Sequence, residues 1–155
     1  MDMDIQIGHT LDSSEIYGPG IRAALWVQGC TLACEGCWNT QYWSRLAGAT
    51  STTEEILEQC EKTPGLEGVT LLGGEPLQQA DAVLALIQGA QDLGLSVFLY
   101  TGYEPEEFTS SMRACFDMSD ICRNRPLRSR SAKHQPTLAR IDQPGRPLPL
   151  SLIHI

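Results

Sequence analysis

Apolar and polar positions change period several times along the first 121 residues, and the changes read as strands alternating with helices. The run Arg22-Ala-Ala-Leu-Trp-Val-Gln28 lies between Gly18-Pro19-Gly20 and Gly29, which marks a buried strand. Ser51-Thr52-Thr53-Glu54 has the form of a capping box and opens a helix to about Lys62, stopped by Pro64-Gly65. Gly68 to Leu72 predicts a second strand. Leu77, Ala80, Val83, Leu84, Ile87 and Ala90 recur at helical spacing, giving a helix of about four turns that Gly94 ends. Leu95 to Tyr100 predicts a third strand, and Pro105 suits the first turn of a helix to about Ala114. Met118 to Ile121 starts a fourth strand.

The repeated order of strand and helix predicts an α/β fold with a parallel sheet and right-handed crossovers. Loops that carry chemistry lie at the carboxyl ends of such strands. Cys30 to Cys37, Gly73 to Pro76 and Thr101-Gly102-Tyr103 each follow a predicted strand, so three loops are expected on one rim. With 155 residues the chain is too short for a closed barrel of eight units, which takes ~250. A partial, open barrel is expected.

Composition narrows the setting. A hydrophobic content of 42% in 155 residues suits one packed core. No run approaches the ~18 apolar residues of a membrane span, and the start Met-Asp-Met-Asp-Ile lacks the regions of a signal peptide. A cytoplasmic protein with no membrane partner is expected, and there six cysteines point to metal rather than disulfides.

Charge divides the chain. Residues 1–121 hold 4 of the 11 Lys+Arg and 18 of the 19 Asp+Glu. This acidic body argues against nucleic acid as a partner, because phosphate binding needs clustered cations. Residues 122–155 hold the other 7 basic residues and five of the nine prolines, a composition that buries too little surface to order itself. The ending Leu150-Ser-Leu-Ile-His-Ile155 resembles the translated end of a sequencing-library transposon adaptor. The expected division is a core domain over 1–121, truncated, and a basic, Pro-rich tail over 122–155 that is non-native or disordered. A basic arm for an anionic partner is the competing reading of that tail.

The candidate chemistry sits in Cys30-Thr31-Leu32-Ala33-Cys34-Glu35-Gly36-Cys37. This C-x3-C-x2-C loop offers three thiolates and no fourth, so a 4Fe-4S cluster bound here keeps one iron free for a ligand that is not protein. The same thiols would suit a zinc site completed by Cys60 or His9, although structural zinc usually takes paired ligands from two loops. Cys60, Cys115 and Cys122 stand alone, and His9, His134 and His154 have no recognisable ligand partners. No catalytic acid or base is assigned.

The cysteine spacing, with Gly73-Gly74-Glu75-Pro76 after the second strand, resembles the radical S-adenosylmethionine superfamily. Gly18-Pro19-Gly20 with Arg22, the sequence Gly36-Cys37-Trp38-Asn39, and Thr101-Gly102-Tyr103 narrow the resemblance to the small activases of glycyl-radical enzymes. It covers roughly residues 14–121. Glu75 departs from the aspartate that activators of anaerobic ribonucleotide reductase often carry. The resemblance implies that Cys30, Cys34 and Cys37 hold the cluster, and that Gly73, Gly74, Glu75 and Pro76, with Trp38 and Thr101, contact S-adenosylmethionine. It implies reductive cleavage of that cofactor to a 5′-deoxyadenosyl radical, which removes a hydrogen atom from a backbone glycine of a larger partner enzyme. A low-potential electron donor such as flavodoxin is the implied second partner. A radical enzyme acting on peptides or small molecules would share these motifs, and an electron carrier would need a fourth protein ligand.

Overall fold

A computed structural model describes the backbone of residues 2–124 and 138–140 and the side chains of residues 2–120. Its elements, in chain order, are β1 (Asp4–Ser14), β2 (Arg22–Val27), β3 (Ala49–Thr52), α1 (Thr53–Lys62), β4 (Gly68–Gly73), α2 (Ala80–Asp92), β5 (Ser96–Thr101), α3 (Ser110–Met118), β6 (Ile121–Asn124) and β7 (Leu138–Arg140). The seven strands form one sheet in the order β3-β1-β2-β4-β5-β6-β7. Its centre, β2-β4-β5-β6, is parallel, as the alternation of strands and helices predicts. The edges differ from that expectation, because β1 pairs antiparallel with both β2 and β3, and β7 pairs antiparallel with β6. Antiparallel neighbours need no helical crossover, so the helix pattern carries no trace of them.

Strand β2 is buried along its whole length, as expected of a central strand covered on both faces. Ala23, Leu25 and Val27 join Val69, Leu71, Val97 and Leu99 under Ile56, Leu86 and Ile87 of the helices. The alternate positions of the same strands face the other way. There Tyr17 meets Trp26 edge-on at 4.8 Å, and Phe98 stacks on Tyr100 at 5.7 Å.

Local chemistry shifts several predicted boundaries. The cap of α1 is Thr52, whose hydroxyl accepts from Glu55 N while the Glu55 carboxylate accepts from Thr52 N. The capping box therefore lies one residue beyond Ser51–Glu54, and the Ser51 hydroxyl donates to the Glu55 carboxylate instead of capping the helix. The helix expected from Pro105 is a single 3-10 turn over Pro105–Glu107, after which Thr109 caps α3. Four residues of 3-10 turn, Pro76–Gln79, likewise precede α2.

Below the sheet, at the amino end of β2, Arg22 is 1% exposed. Its Nε donates to Thr70 Oγ1, its Nη1 to Pro19 O and Ser96 Oγ, and its Nη2 to Val69 O and Ser96 O. The five donors of the guanidinium are all used. Burial pulls its pKa down from 12.5 to about 10, against the opposing pull of Asp120 and Glu67, so it remains a cation at neutral pH. Cys122–Asn124 belong to β6 and Leu138–Arg140 form β7. The sheet thus continues past residue 121, and the rest of the predicted tail lies outside the described residues.

Candidate functional site

The register of the parallel centre sets the site. Val27 at the end of β2 pairs with Gly73 at the end of β4, and Leu71 pairs with Leu99, two residues before the end of β5. The cysteine loop, the Gly73–Pro76 loop and Thr101-Gly102-Tyr103 therefore leave the sheet at one rim.

Two glycines let the first two loops touch. Gly74 N donates to Val27 O and Glu75 N to Gly29 O, both at 2.9 Å. Gly73 has φ +108°, and a Cβ there would stand 2.6 Å from Trp26 Cα; a Cβ on Gly74 would stand 2.5 Å from Gly29 O. Both contacts are to backbone, which cannot swing aside. The glycine pair is thus required by close packing against the strand that feeds the cysteines.

The cysteine loop is pinched at its neck. Gly29 N donates to Tyr42 O at 2.7 Å and Cys30 N to Trp43 O at 3.0 Å, while Gln28 Nε2 donates to Gln41 O. Between these clamps Ala33 at φ +47° and Gly36 at φ +76° turn the chain back on itself, and Cys37 N donates to Cys34 O at 3.2 Å. All three thiols are free and half-buried. Cys37 Sγ accepts from Asn39 N at 3.4 Å, one of the N–H contacts that tune thiolate ligands. Burial raises the Cys30 thiol pKa, partly offset by a hydrogen bond from Leu32, with further raising by Glu75, Cys34 and Cys37. Holding metal therefore requires this thiol to lose its proton.

Among the described residues no three His, Cys, Asp or Glu side chains converge as the ligands of a single metal ion do. Zinc would require that convergence, whereas thiolates around a cluster bind separate irons and stand apart. Three half-buried thiols on one pinched loop fit a cluster by their donor chemistry. Cys60 is in the helix-side core and the His9 ring lies 5.2 Å from that of Trp26, so neither completes a fourth position in this structure.

Glu75 is 1% exposed. Its Oε1 accepts from Leu77 N and Thr101 Oγ1, each at 2.9 Å, and its Oε2 from Gly102 N at 2.7 Å. The carboxylate thereby ties the β4 loop to the β5 loop. Thr101 joins the same knot, and Tyr103 N donates to Thr101 Oγ1 at 3.1 Å. Pro76 is buried at the start of its 3-10 turn. Trp38 stands apart from all of these, 93% exposed on the outer part of the cysteine loop. Tyr42 and Trp43, whose rings suggest only cover, contribute the backbone carbonyls of the neck.

Two residues that motif reading passes over complete the rim. Gln78 bridges Thr31, beside Cys30, and Tyr103; Gln79 donates to Gln6 O and Gln28 O and accepts from Gln6 N. Their trace in the sequence is a polar pair set directly behind Gly73–Leu77 where the apolar helix pattern begins.

A sheet of this order with a three-thiol loop at its rim defines an iron-sulfur protein of the partial-barrel class. The chain belongs to the 4Fe-4S single cluster domain family, whose profile matches residues 16–140. It is 32% identical over 114 residues to the anaerobic ribonucleoside-triphosphate reductase-activating protein of Salmonella typhimurium, covering 68% of this chain and 74% of that protein. It is 32% identical over 104 residues to the pyruvate formate-lyase-activating enzyme of Clostridium pasteurianum, covering 61% of this chain and 43% of that enzyme. The fold matches the crystal structure of QueE from Escherichia coli with a TM-score of 0.57 at 14% identity, over 77% of this chain and 69% of that one. The two activating proteins agree with the activase resemblance carried by the motifs, and the likeness to QueE is one of fold.

Proposed function

We propose that the chain is a radical S-adenosylmethionine activase that installs a glycyl radical on a larger partner enzyme, of the kind that anaerobic ribonucleotide reductase represents. The observation that carries the radical-enzyme part of this reading is the knot at one rim, in which a three-thiol loop, the Gly73–Pro76 loop and Thr101–Tyr103 are tied by backbone and carboxylate hydrogen bonds; the activase part is supported by the likeness to the two activating proteins. Cys30, Cys34 and Cys37 would hold the cluster. When bound, the cluster and S-adenosylmethionine supply a one-electron cleavage of the cofactor's carbon-sulfur bond and a carbon radical that takes a hydrogen atom.

The protein's own work is to hold, orient and exclude water. The neck carbonyls of Tyr42 and Trp43 fix where the thiols begin, and the two glycines bring the cofactor-binding loop against them. Glu75 serves that loop by shape, since its oxygens accept from Leu77, Thr101 and Gly102. The strip Gly73-Gly74-Glu75-Pro76 is then read as offering backbone to the cofactor's amino group. Trp38, fully outside that strip, is read as the loop's outward contact. Among the described residues no helix is long and apolar enough to cross a membrane. A cytoplasmic setting and a low-potential electron donor such as flavodoxin complete the proposal.

The test is reduction of the anaerobically reconstituted protein with S-adenosylmethionine and the cognate reductase. A glycine-centred radical on the reductase, seen by electron paramagnetic resonance with stoichiometric 5′-deoxyadenosine, is expected. Formation of 5′-deoxyadenosine with no glycine radical on any candidate partner overturns the activase reading in favour of another radical enzyme.

A further inference from the structure

We propose that Gln78 is a positioning residue that locks Cys30 to the cofactor-binding loop. Its side-chain amide makes three hydrogen bonds across the rim. Oε1 accepts from Thr31 N at 3.1 Å, while Nε2 donates to Thr31 Oγ1 at 2.8 Å and to Tyr103 Oη at 3.0 Å. Both amide hydrogens are thereby used. Thr31 is gripped at two points, its N–H and its hydroxyl, and this N–H belongs to the peptide that joins it to Cys30. Two contacts fix the orientation of that peptide where one would leave a pivot.

The grip is double-ended. Gln78 O accepts from Arg45 Nη2 at 2.9 Å, so one residue holds the cysteine loop just inside its entry and just beyond its exit. Gln78 N donates to Glu75 O at 3.1 Å, which ties the clamp to the Gly73–Pro76 loop itself. Any displacement of that loop on binding cofactor therefore moves Thr31 and Cys30 with it. The turn does not depend on the clamp, because neighbouring Gln79 is pinned separately to Gln6 and Gln28 and Leu77 is buried in the core. Removing the Gln78 side chain should therefore loosen the cysteine loop while leaving the fold in place.

This inference rests on the cluster reading in one arm of its test and stands free of it in the other. In the metal-free chain, Gln78→Ala should speed hydrogen exchange at the Thr31 amide about tenfold, the scale of one lost hydrogen bond. Gln78→Glu keeps the acceptor for that amide and should restore most of its protection. Thr31→Val, which keeps shape and removes Oγ1, should add little in the Gln78→Ala background and more in the wild type, the non-additivity of a direct contact. In the reconstituted protein, Gln78→Ala should keep its iron and sulfide yet shift the paramagnetic spectrum of the reduced cluster. Thr31 exchange within twofold of wild type overturns the clamp. Faster exchange with an unchanged spectrum overturns its role in placing Cys30. A wild-type chain that loads no cluster defeats the earlier reading, and the exchange arm still decides whether the clamp exists.

Discussion

At the amino end of β2 the Arg22 guanidinium gives all five N–H groups to protein oxygens, and at the carboxyl end Cys30, Cys34 and Cys37 keep half-buried thiols on a pinched loop. The lower end is complete in itself. Its polar groups answer one another, and a Cβ on Gly68 would run into the guanidinium, so nothing else fits there. The upper end spends its hydrogen bonds on shaping backbone, through Gly29, Cys30, Gly74 and Glu75, and leaves sulfur for a ligand. Polar groups that satisfy each other stabilise a fold, whereas half-buried thiols that take single N–H contacts, as Cys30 does from Leu32 and Cys37 from Asn39, keep lone pairs for a ligand.

The largest effect should come at the upper end. Replacing Cys30, Cys34 or Cys37 by Ala should abolish loading of a full cluster, measured as iron and sulfide after anaerobic reconstitution, while urea unfolding of the metal-free chain moves by less than ~1 kcal/mol. Cys60→Ala and Cys115→Ala should still load. Retention of the full cluster by Cys34→Ala would break the contrast between the two ends.

The lower end should show the reverse. Arg22→Met leaves Thr70 Oγ1, Ser96 Oγ and the carbonyls of Pro19, Val69 and Ser96 without their donor. A loss of about 3–5 kcal/mol in unfolding free energy is expected, because several buried oxygens lose their donor at about 1–3 kcal/mol each. A loss under 1 kcal/mol would show that these oxygens find water and that the lower end is not closed.

Between the two lies the glycine seam. Gly74→Ala forces a Cβ against Gly29 O and Tyr42 O and should cost about 1–3 kcal/mol. It should weaken S-adenosylmethionine binding as well if the proposed role of the Gly73–Pro76 loop holds, since the same contact sets the cysteine loop against it. A titration showing wild-type affinity in this variant would separate the two loops functionally.

The smallest effect concerns the thiols that are not on the loop. Burial, with Asp12 nearby, pushes Cys60 up to about 11, and burial, with Asp81 nearby, pushes Cys115 up to about 12, from 9.0. A raised thiol pKa means that the folded chain holds the proton more tightly than the unfolded one. The stability this gives is whole below pH 9 and is lost as pH climbs toward 11 and 12. Arg22, whose pKa burial pulls down to about 10, titrates over the same window with the opposite sign, so the effect is read as a difference: the urea midpoint of the metal-free chain should fall relative to that of Cys115→Ala as pH rises from 9 to 12. Parallel midpoint profiles for the two chains would show that the Cys115 thiol is not sealed in the core.

Residue spacing alone marked the chemistry of this protein, because a cysteine triplet and a glycine pair are local patterns written within eight and four residues. It also marked the parallel centre, since buried strands and amphipathic helices carry their own periods. The antiparallel edges escaped. In β1 only Ile5 and Ile7 alternate cleanly before register shifts at His9 and Ser14, and β3 is four residues of Ala, Thr and Ser whose pairing comes from β1. What only the tertiary structure decided is how residues far apart in the chain answer one another. Glu75, which the motif places at the cofactor, is also a buried tie to Thr101 and Gly102. Trp38, expected beside the cofactor, is exposed next to the cysteine loop. Gln78 has no motif at all and spans from Thr31 to Tyr103. Hydrogen-bond partners 25 to 50 positions apart are set by strand register and loop closure, which no local pattern encodes.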